Sequence, residues 1–158
     1  MRLNRTLPAF AGALACTLVL SACDDDATGP RTPEDVQFDA SLGVNLDNMT
    51  ELDSGVYIQT LTPGEGVPVI TGDVVIVDYM LWLPDGTEID SGTDARFTLN
   101  VGAVIDGFRL GMESMLPGET RLIVIPSALG YGAGGTTGIP PHSVLVFRVT
   151  LNELNPPV

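Results

Sequence analysis

The sequence predicts an α+β domain in which one antiparallel sheet packs on a single short helix. Three observations point to it. From Glu51 onward, short apolar or alternating runs recur, each closed by glycine, proline or aspartate. Only the stretch from Val104 to Met115 repeats large apolar residues at helical spacing, through Phe108, Met112 and Met115. With 158 residues, the chain has room for one such domain behind a leader and a linker. Many strands and one helix bury their apolar faces together when the helix lies on the sheet.

At the N-terminus, Met1 to Pro8 carries Arg2 and Arg5, and Ala9 to Leu20 is an apolar run. The run is far shorter than the roughly 20 residues a membrane-spanning helix needs, so residues 1–22 read as a signal peptide. It ends in Leu20-Ser21-Ala22-Cys23, which resembles a bacterial lipobox. That resemblance implies cleavage before Cys23 and a lipid on its sulfur, and two or more acyl chains anchor a protein stably. The alternative is an ordinary cleaved signal that leaves Cys23 a free thiol. Cys16 lies inside the leader, so the mature chain has one cysteine and no internal disulfide. Residues 23–50 are rich in Asp, Thr, Pro and Gly and are expected to form a flexible acidic tether. Asp24, Asp25 and Asp26 lack the alternating spacing of a calcium loop and read as solvated charge.

The domain is expected over residues 51–158. Val56 to Leu61 reads as a strand closed by Pro63-Gly64-Glu65-Gly66. Val74 to Leu83 follows, turning at Pro84-Asp85-Gly86 into a returning strand, Thr87 to Asp90. Arg96 to Val101, Thr120 to Ile125 and Val144 to Leu151 complete the strands. Between the last two, Gly130, Gly132 and Gly135 fit a dinucleotide fingerprint after a buried strand. Pro140 and Pro141 stand where the phosphate-binding helix has to begin, so that reading fails. The glycines serve a tight loop instead.

Charge and composition exclude several function classes. Residues 23–158 hold all 20 acidic residues against five arginines, a net charge of −15. Such a surface repels nucleic acid and anionic lipid headgroups. No Ser-His-Asp set is recognisable and His142 is the single histidine, so neither nucleophilic catalysis nor a metal site is expected. Trp82 is out of phase with Tyr79 and Leu81 on its strand and is expected to face away from them.

Five segments then carry a resemblance in order: Val77-Asp78-Tyr79, Leu83 to Ser91, Val104-Ile105-Asp106-Gly107-Phe108, Leu129-Gly130-Tyr131-Gly132, and Gly138 to Phe147. Over about residues 54–154 they resemble the FKBP-type peptidyl-prolyl isomerases. The resemblance implies a strongly twisted antiparallel sheet wrapped around one short helix, with an apolar pocket between them that takes a proline ring. It implies Phe108 as the pocket floor, and Tyr79, Ile89, Phe97, Val104, Ile105 and Phe147 as walls. Tyr131 matches the tyrosine whose hydroxyl meets a substrate carbonyl, Asp90 the pocket carboxylate, and Ile139 the loop residue beside the ring. For each apolar residue, plain core packing is the alternative, and Asp90 has the alternative of capping a turn.

Three departures alter the pocket. Phe108 stands where the family usually has Trp, Ile89 where a wall is usually Phe, and the arginine that often pairs with the aspartate has only Arg96 nearby. The expected function is cis-trans isomerisation of X-Pro bonds in exported proteins, with no cofactor and no metal. The expected setting is a lipid-anchored monomer in a bacterial envelope, on the periplasmic side, binding no nucleic acid. The alternative is a non-catalytic proline-binding chaperone or scaffold module.

Overall fold

The computed structural model describes residues 29–155, so the leader, Cys23 and Asp24 to Asp26 lie outside the described residues. Six strands and one helix follow in order: β1 (Thr50–Glu51), β2 (Tyr57–Thr62), β3 (Val74–Trp82), β4 (Glu88–Thr98), α1 (Asp106–Met112), β5 (Thr120–Ile125) and β6 (Leu145–Asn155). The strands form one antiparallel sheet in the order β1-β2-β5-β6-β3-β4. Among the described residues no helix is long and apolar enough to cross a membrane.

The two strands expected at 87–90 and 96–101 are one strand, β4. The residues between them are absorbed as a bulge: Val77 pairs with Ala95 and Tyr79 with Gly92, leaving Thr93 and Asp94 opposite Asp78. Asp78 Oδ1 accepts the Asp94 N–H at 2.8 Å, so the bulge closes on a side chain and pairing resumes. The helix is shorter than its apolar spacing suggested. It stops at Met112, Ser114 takes a φ of +67°, and Met115 is fully buried from outside the helix.

Helix and sheet approach closely because of two glycines four residues apart. A Cβ on Gly107 would lie 2.1 Å from Ile125 Cγ2, and one on Gly111 2.4 Å from Ile123 Cγ2. Ile123 and Ile125 are both fully buried on β5, so the helix backbone lies directly on that strand. Arg121, from the same strand, donates through Nη1 to the carbonyls of Gly111 and Glu113, each at 2.9 Å. It satisfies acceptors at the helix C-terminus that lack intrahelical partners. Its Nε pairs with Glu119 at 2.8 Å, both side chains being 5% exposed. Burial disfavours the ionised Glu119 carboxyl, but hydrogen bonds from Arg121, the Leu116 N–H and Thr60 outweigh it and hold its pKa below the usual value.

The flexible tether expected over residues 23–50 is corrected for residues 31–49, which are fixed on the outer face of the sheet. That face carries Tyr57, Leu122, Val124 and Val146, with Val144 beside them, and Leu42 packs into it at 4% exposure. Val36, Phe38, Val44, Leu46 and Met49 cover the rest. The strap is also tied by polar contacts. Arg31 N–H donates to Ser127 Oγ at 2.8 Å, the Asp39 N–H to the Pro84 carbonyl at 2.7 Å, and the Tyr57 hydroxyl to Glu34. Trp82 faces away from the helix as expected, packs in this second cluster, and carries the Arg148 guanidinium over its ring at 5.5 Å.

Two outcomes follow from this packing. Gly111→Ala should destabilise the protein by about 1–3 kcal/mol in thermal denaturation through overpacking against Ile123, although alanine is the better helix former by about 1 kcal/mol. Glu119→Leu leaves Arg121 buried and unpaired and should cost about 3–5 kcal/mol at neutral pH. Because the folded Glu119 pKa is depressed, its contribution is present above the unfolded value of about 4.3. It is lost as pH falls through the lower folded value. Urea midpoints of Glu119→Leu should therefore converge on wild type as the solution is acidified.

Candidate functional site

Four aromatic rings from four elements meet on the inner face of the sheet. Phe108, on the helix face turned to the sheet and 4% exposed, lies 5.5 Å from Phe97 of β4 and 5.1 Å from Phe147 of β6. Tyr79 of β3 stands 5.6 Å edge-on to Phe97 and 6.4 Å from Phe147. These edge and tilted contacts lock the rings against one another. They bound a cavity of about 210 Å³. Val104 and Ile105, from the segment entering α1, form a further wall, and Tyr131 stands at the mouth, 39% exposed.

Gly92 makes room for one of the rings, since a Cβ there would lie 2.8 Å from Tyr79 Cε1. The Tyr79 hydroxyl donates to Asp90 Oδ2 at 2.6 Å. Burial, and then the hydrogen bond to Asp90, push the Tyr79 phenol up to about 12. It therefore stays a donor throughout the physiological range. Asp90 Oδ1 accepts the Ser91 N–H at 2.9 Å. Both carboxylate oxygens are thus directed, and Asp90 forms an oriented polar edge on an otherwise apolar cavity.

The loop above the cavity is closed by its own backbone. Thr136 and Ile139 exchange two hydrogen bonds of 2.9 Å, and the His142 N–H donates to the Gly132 carbonyl at 2.8 Å. Gly135 makes the turn at a φ of +59°, where a Cβ would meet the Ile139 carbonyl oxygen at 2.5 Å. Tyr131 sits at the start of this loop, which sets its ring beside the cavity.

Of the residues expected from sequence, Tyr131, Asp90, Phe108, Tyr79, Phe97, Val104, Ile105 and Phe147 come together around the cavity. Two do not. Ile89 occupies a second bulge: Leu81 pairs with Asp90 and Trp82 with Glu88, so Ile89 has no partner and packs at the border of the main core. Ile139 is 4% exposed and turned down into that core by the loop tip. Arg96 does not pair with Asp90. It stands beside Phe97, which faces the cavity, so strand alternation turns it the other way. Among the described residues the ion pairs join Arg109 and Arg121 to carboxylates. Leu81 and Ala103 also line the cavity. Leu81 was legible as the next inward residue after Tyr79 on β3; Ala103 had no signal beyond its place before Val104.

Chemically, the site offers an apolar, aromatic enclosure, one fixed carboxylate and one phenol at the rim. Residues 67–152 match the family model of the FKBP-type peptidyl-prolyl cis-trans isomerase, just over half of the chain. The chain is 43% identical to an FK506-binding protein of Neisseria meningitidis serogroup B, over 61% of this chain and 94% of that one. It is 32% identical to the FKBP-type peptidyl-prolyl cis-trans isomerase FkpA of Escherichia coli, over 98% of this chain and 57% of FkpA. Among solved structures, a peptidyl-prolyl cis-trans isomerase of Pseudomonas syringae pv. tomato superposes with a TM-score of 0.65 at 33% identity, covering 73% of this chain and 86% of that one.

Proposed function

The chain belongs to the FKBP-type peptidyl-prolyl cis-trans isomerases, and from that premise we propose that its aromatic cavity catalyses X-Pro rotation in exported proteins, close to a membrane that holds Cys23 by lipid. The observation that carries the catalytic part is the enclosure of Phe97, Phe108, Phe147 and Tyr79, with Asp90 and Tyr131 at its edge. Rotating an X-Pro amide meets a barrier of about 18–20 kcal/mol because resonance is lost. The twisted amide carries less charge separation than the planar one, so an apolar, water-poor cavity favours it without nucleophile or metal. In this reading the proline ring rests on Phe108 and the Tyr131 hydroxyl meets a carbonyl of the bound segment. Asp90, held by Tyr79, offers its remaining acceptor capacity to the twisted peptide.

The export and anchoring parts rest on the sequence of the leader. The basic start, the short apolar run and Leu20-Ser21-Ala22-Cys23 support a bacterial lipoprotein whose domain stands on the periplasmic side.

Cis-to-trans conversion of short proline peptides is the direct test, and the purified protein should accelerate it well above the uncatalysed rate. Tyr131→Phe should reduce kcat/KM by about 0.5–1.5 kcal/mol, the net value of one hydrogen bond. Phe108→Trp should retain or raise activity with the fold intact by circular dichroism. A wild type with no acceleration that still binds proline peptides would replace the enzyme by a binding module. For the anchor, mass spectrometry of the protein from a bacterial host should show an acylated Cys23, and Cys23→Ser should accumulate as unprocessed precursor. An unmodified Cys23 in the wild type refutes the anchor.

A further inference from the structure

Asp90 and Phe97 both line the aromatic cavity, yet they lie an odd number of positions apart on β4, and an unbroken strand would turn them to opposite faces. Their partners on β3, Leu81 and Val75, are an even number apart and share one face. The bulge at Thr93 and Asp94 supplies the missing half-period, so both arms of β4 face the cavity only while it is held. Another bulge lies on the other side of β3. Val77 pairs with Leu151 and Ile76 with Glu153, which leaves Asn152 of β6 without a partner. Asp78 stands between the two, on the outer face of the sheet. Its Oδ1 accepts the Asp94 N–H at 2.8 Å and Asn152 Nδ2 at 2.9 Å. The same Asn152 amide donates to Asp94 Oδ1 at 3.2 Å. Asp94 has a φ of +51°, a conformation that aspartate adopts when a local hydrogen bond compensates it. One carboxylate oxygen thus ties β3, β4 and β6 together at the point where β4 changes phase.

We propose that Asp78 and Asn152 are positioning residues for the cavity: by closing the β4 bulge from the outer face, they keep Asp90 and Phe97 together on the inner one. Neither is among the residues that line the cavity. They act through register. With the Asp78 acceptor gone, the Asp94 N–H loses its partner and the extra residue is free to move along the strand. A slip of one position would turn Asp90 outward. It would also carry Gly92 from its place opposite Tyr79, where a Cβ would lie 2.8 Å from Tyr79 Cε1. Asn152 has a second part, since without its amide the carboxylates of Asp78 and Asp94 converge with no donor between them. The activity served in this way rests on the isomerase reading, whereas the placement of Asp90 and Phe97 does not.

The test compares Asp78→Ala with Asp78→Asn in the full-length chain, since both remove the charge and only the second keeps an acceptor for the two bulges. On a short proline peptide, kcat/KM should fall about tenfold or more for Asp78→Ala, because a displacement of about 1 Å in a site can cost about 10²-fold. Asp78→Asn should stay close to wild type. Leu42→Ala, which opens a void under the strap, is the control for lost stability and should lower Tm with kcat/KM unchanged. A second readout needs no catalysis. The Tyr79 phenol, pushed up to about 12 by burial and by Asp90, has Asp90 and Tyr131 as its titratable neighbours. NMR of tyrosine labelled at Cζ should show its titration fall toward the ordinary value of about 10 in Asp78→Ala and hold in Asp78→Asn. Should Asp78→Ala not fold, Asn152→Ala carries the test. It leaves the Asp94 N–H bond in place and should lower kcat/KM about two- to tenfold, the effect of one hydrogen bond. Alanine variants with kcat/KM and Tyr79 titration unchanged overturn the proposal, and so does an Asp78→Asn as impaired as Asp78→Ala. A loss that Leu42→Ala reproduces at equal Tm assigns the effect to stability and overturns it too. If the wild type accelerates no proline peptide while Tyr79 shifts only in the alanine variants, the positioning stands and the enzyme reading falls.

Discussion

The contact on which the rest of the structure depends is the seating of the α1 backbone on β5. Two glycines one turn apart remove the Cβ atoms that would strike Ile125 and Ile123, so the helix axis lies closer to the sheet than any side chain would permit. A seven-residue helix has little intrinsic stability. Here it is held by its contact surface and by Arg121, which reaches from the same strand to the carbonyls at its end. Phe108 lies one residue from Gly107, so its depth beneath Phe97 and Phe147 is set by that seating. A helix pushed outward would carry the cavity floor with it.

The polar parts of the molecule are arranged so that little charge reaches the cavity. Glu119 and Arg121 neutralise one another under the helix, and Thr60 and the Leu116 N–H complete the carboxylate's bonding. Asp90 is the cavity's acid, and the high phenol pKa of Tyr79 keeps a donor on one of its oxygens. Such a site changes the solvent of a peptide bond and offers directed hydrogen bonds at its rim. Reactions that need only a bond rotation require no more than that, and the absence of Trp at the floor reduces the surface without changing its character.

Most of this was legible before the structure, but unequally. Strand starts and turns followed from alternation and from Pro-Gly and Pro-Asp-Gly signals, and the helix from Phe108, Met112 and Met115. The cavity set was legible through the ordered motifs, eight of its residues meeting as expected. Two of the failures share a cause. Ile89 left the wall because a bulge uncouples it from the two-residue alternation, and Thr93 with Asp94 joined two expected strands by the same device. Neither bulge leaves a mark in hydrophobic periodicity, since each depends on what the partner strand does. Ile139 was displaced by a loop tip whose two hydrogen bonds decide which way it points. Ala103 carries no chemical signal of its own.

Residues 31–49 show the deeper limit. Their composition is that of a linker, yet Val36, Phe38, Ala40, Leu42, Val44 and Leu46 alternate with polar or small residues, a two-residue period that marks a half-buried segment even though the chain there forms short turns and not a strand. What makes them structured is the opposite side of the contact: β2, β5 and β6 present Tyr57, Leu122, Val124 and Val146 on the face away from the helix, and that apolar surface needs a cover. A strand that alternates implies water on one side, whereas β5 is buried over five of its six residues, which is the pattern of a sheet covered on both faces. The covering strap changes the reach of the chain as well. A free segment from Cys23 to residue 50 spans up to about 90 Å, but with Arg31 fastened to Ser127 only eight peptide steps remain, about 29 Å at full extension. On the proposed anchor, the domain is therefore held within roughly its own diameter of the bilayer.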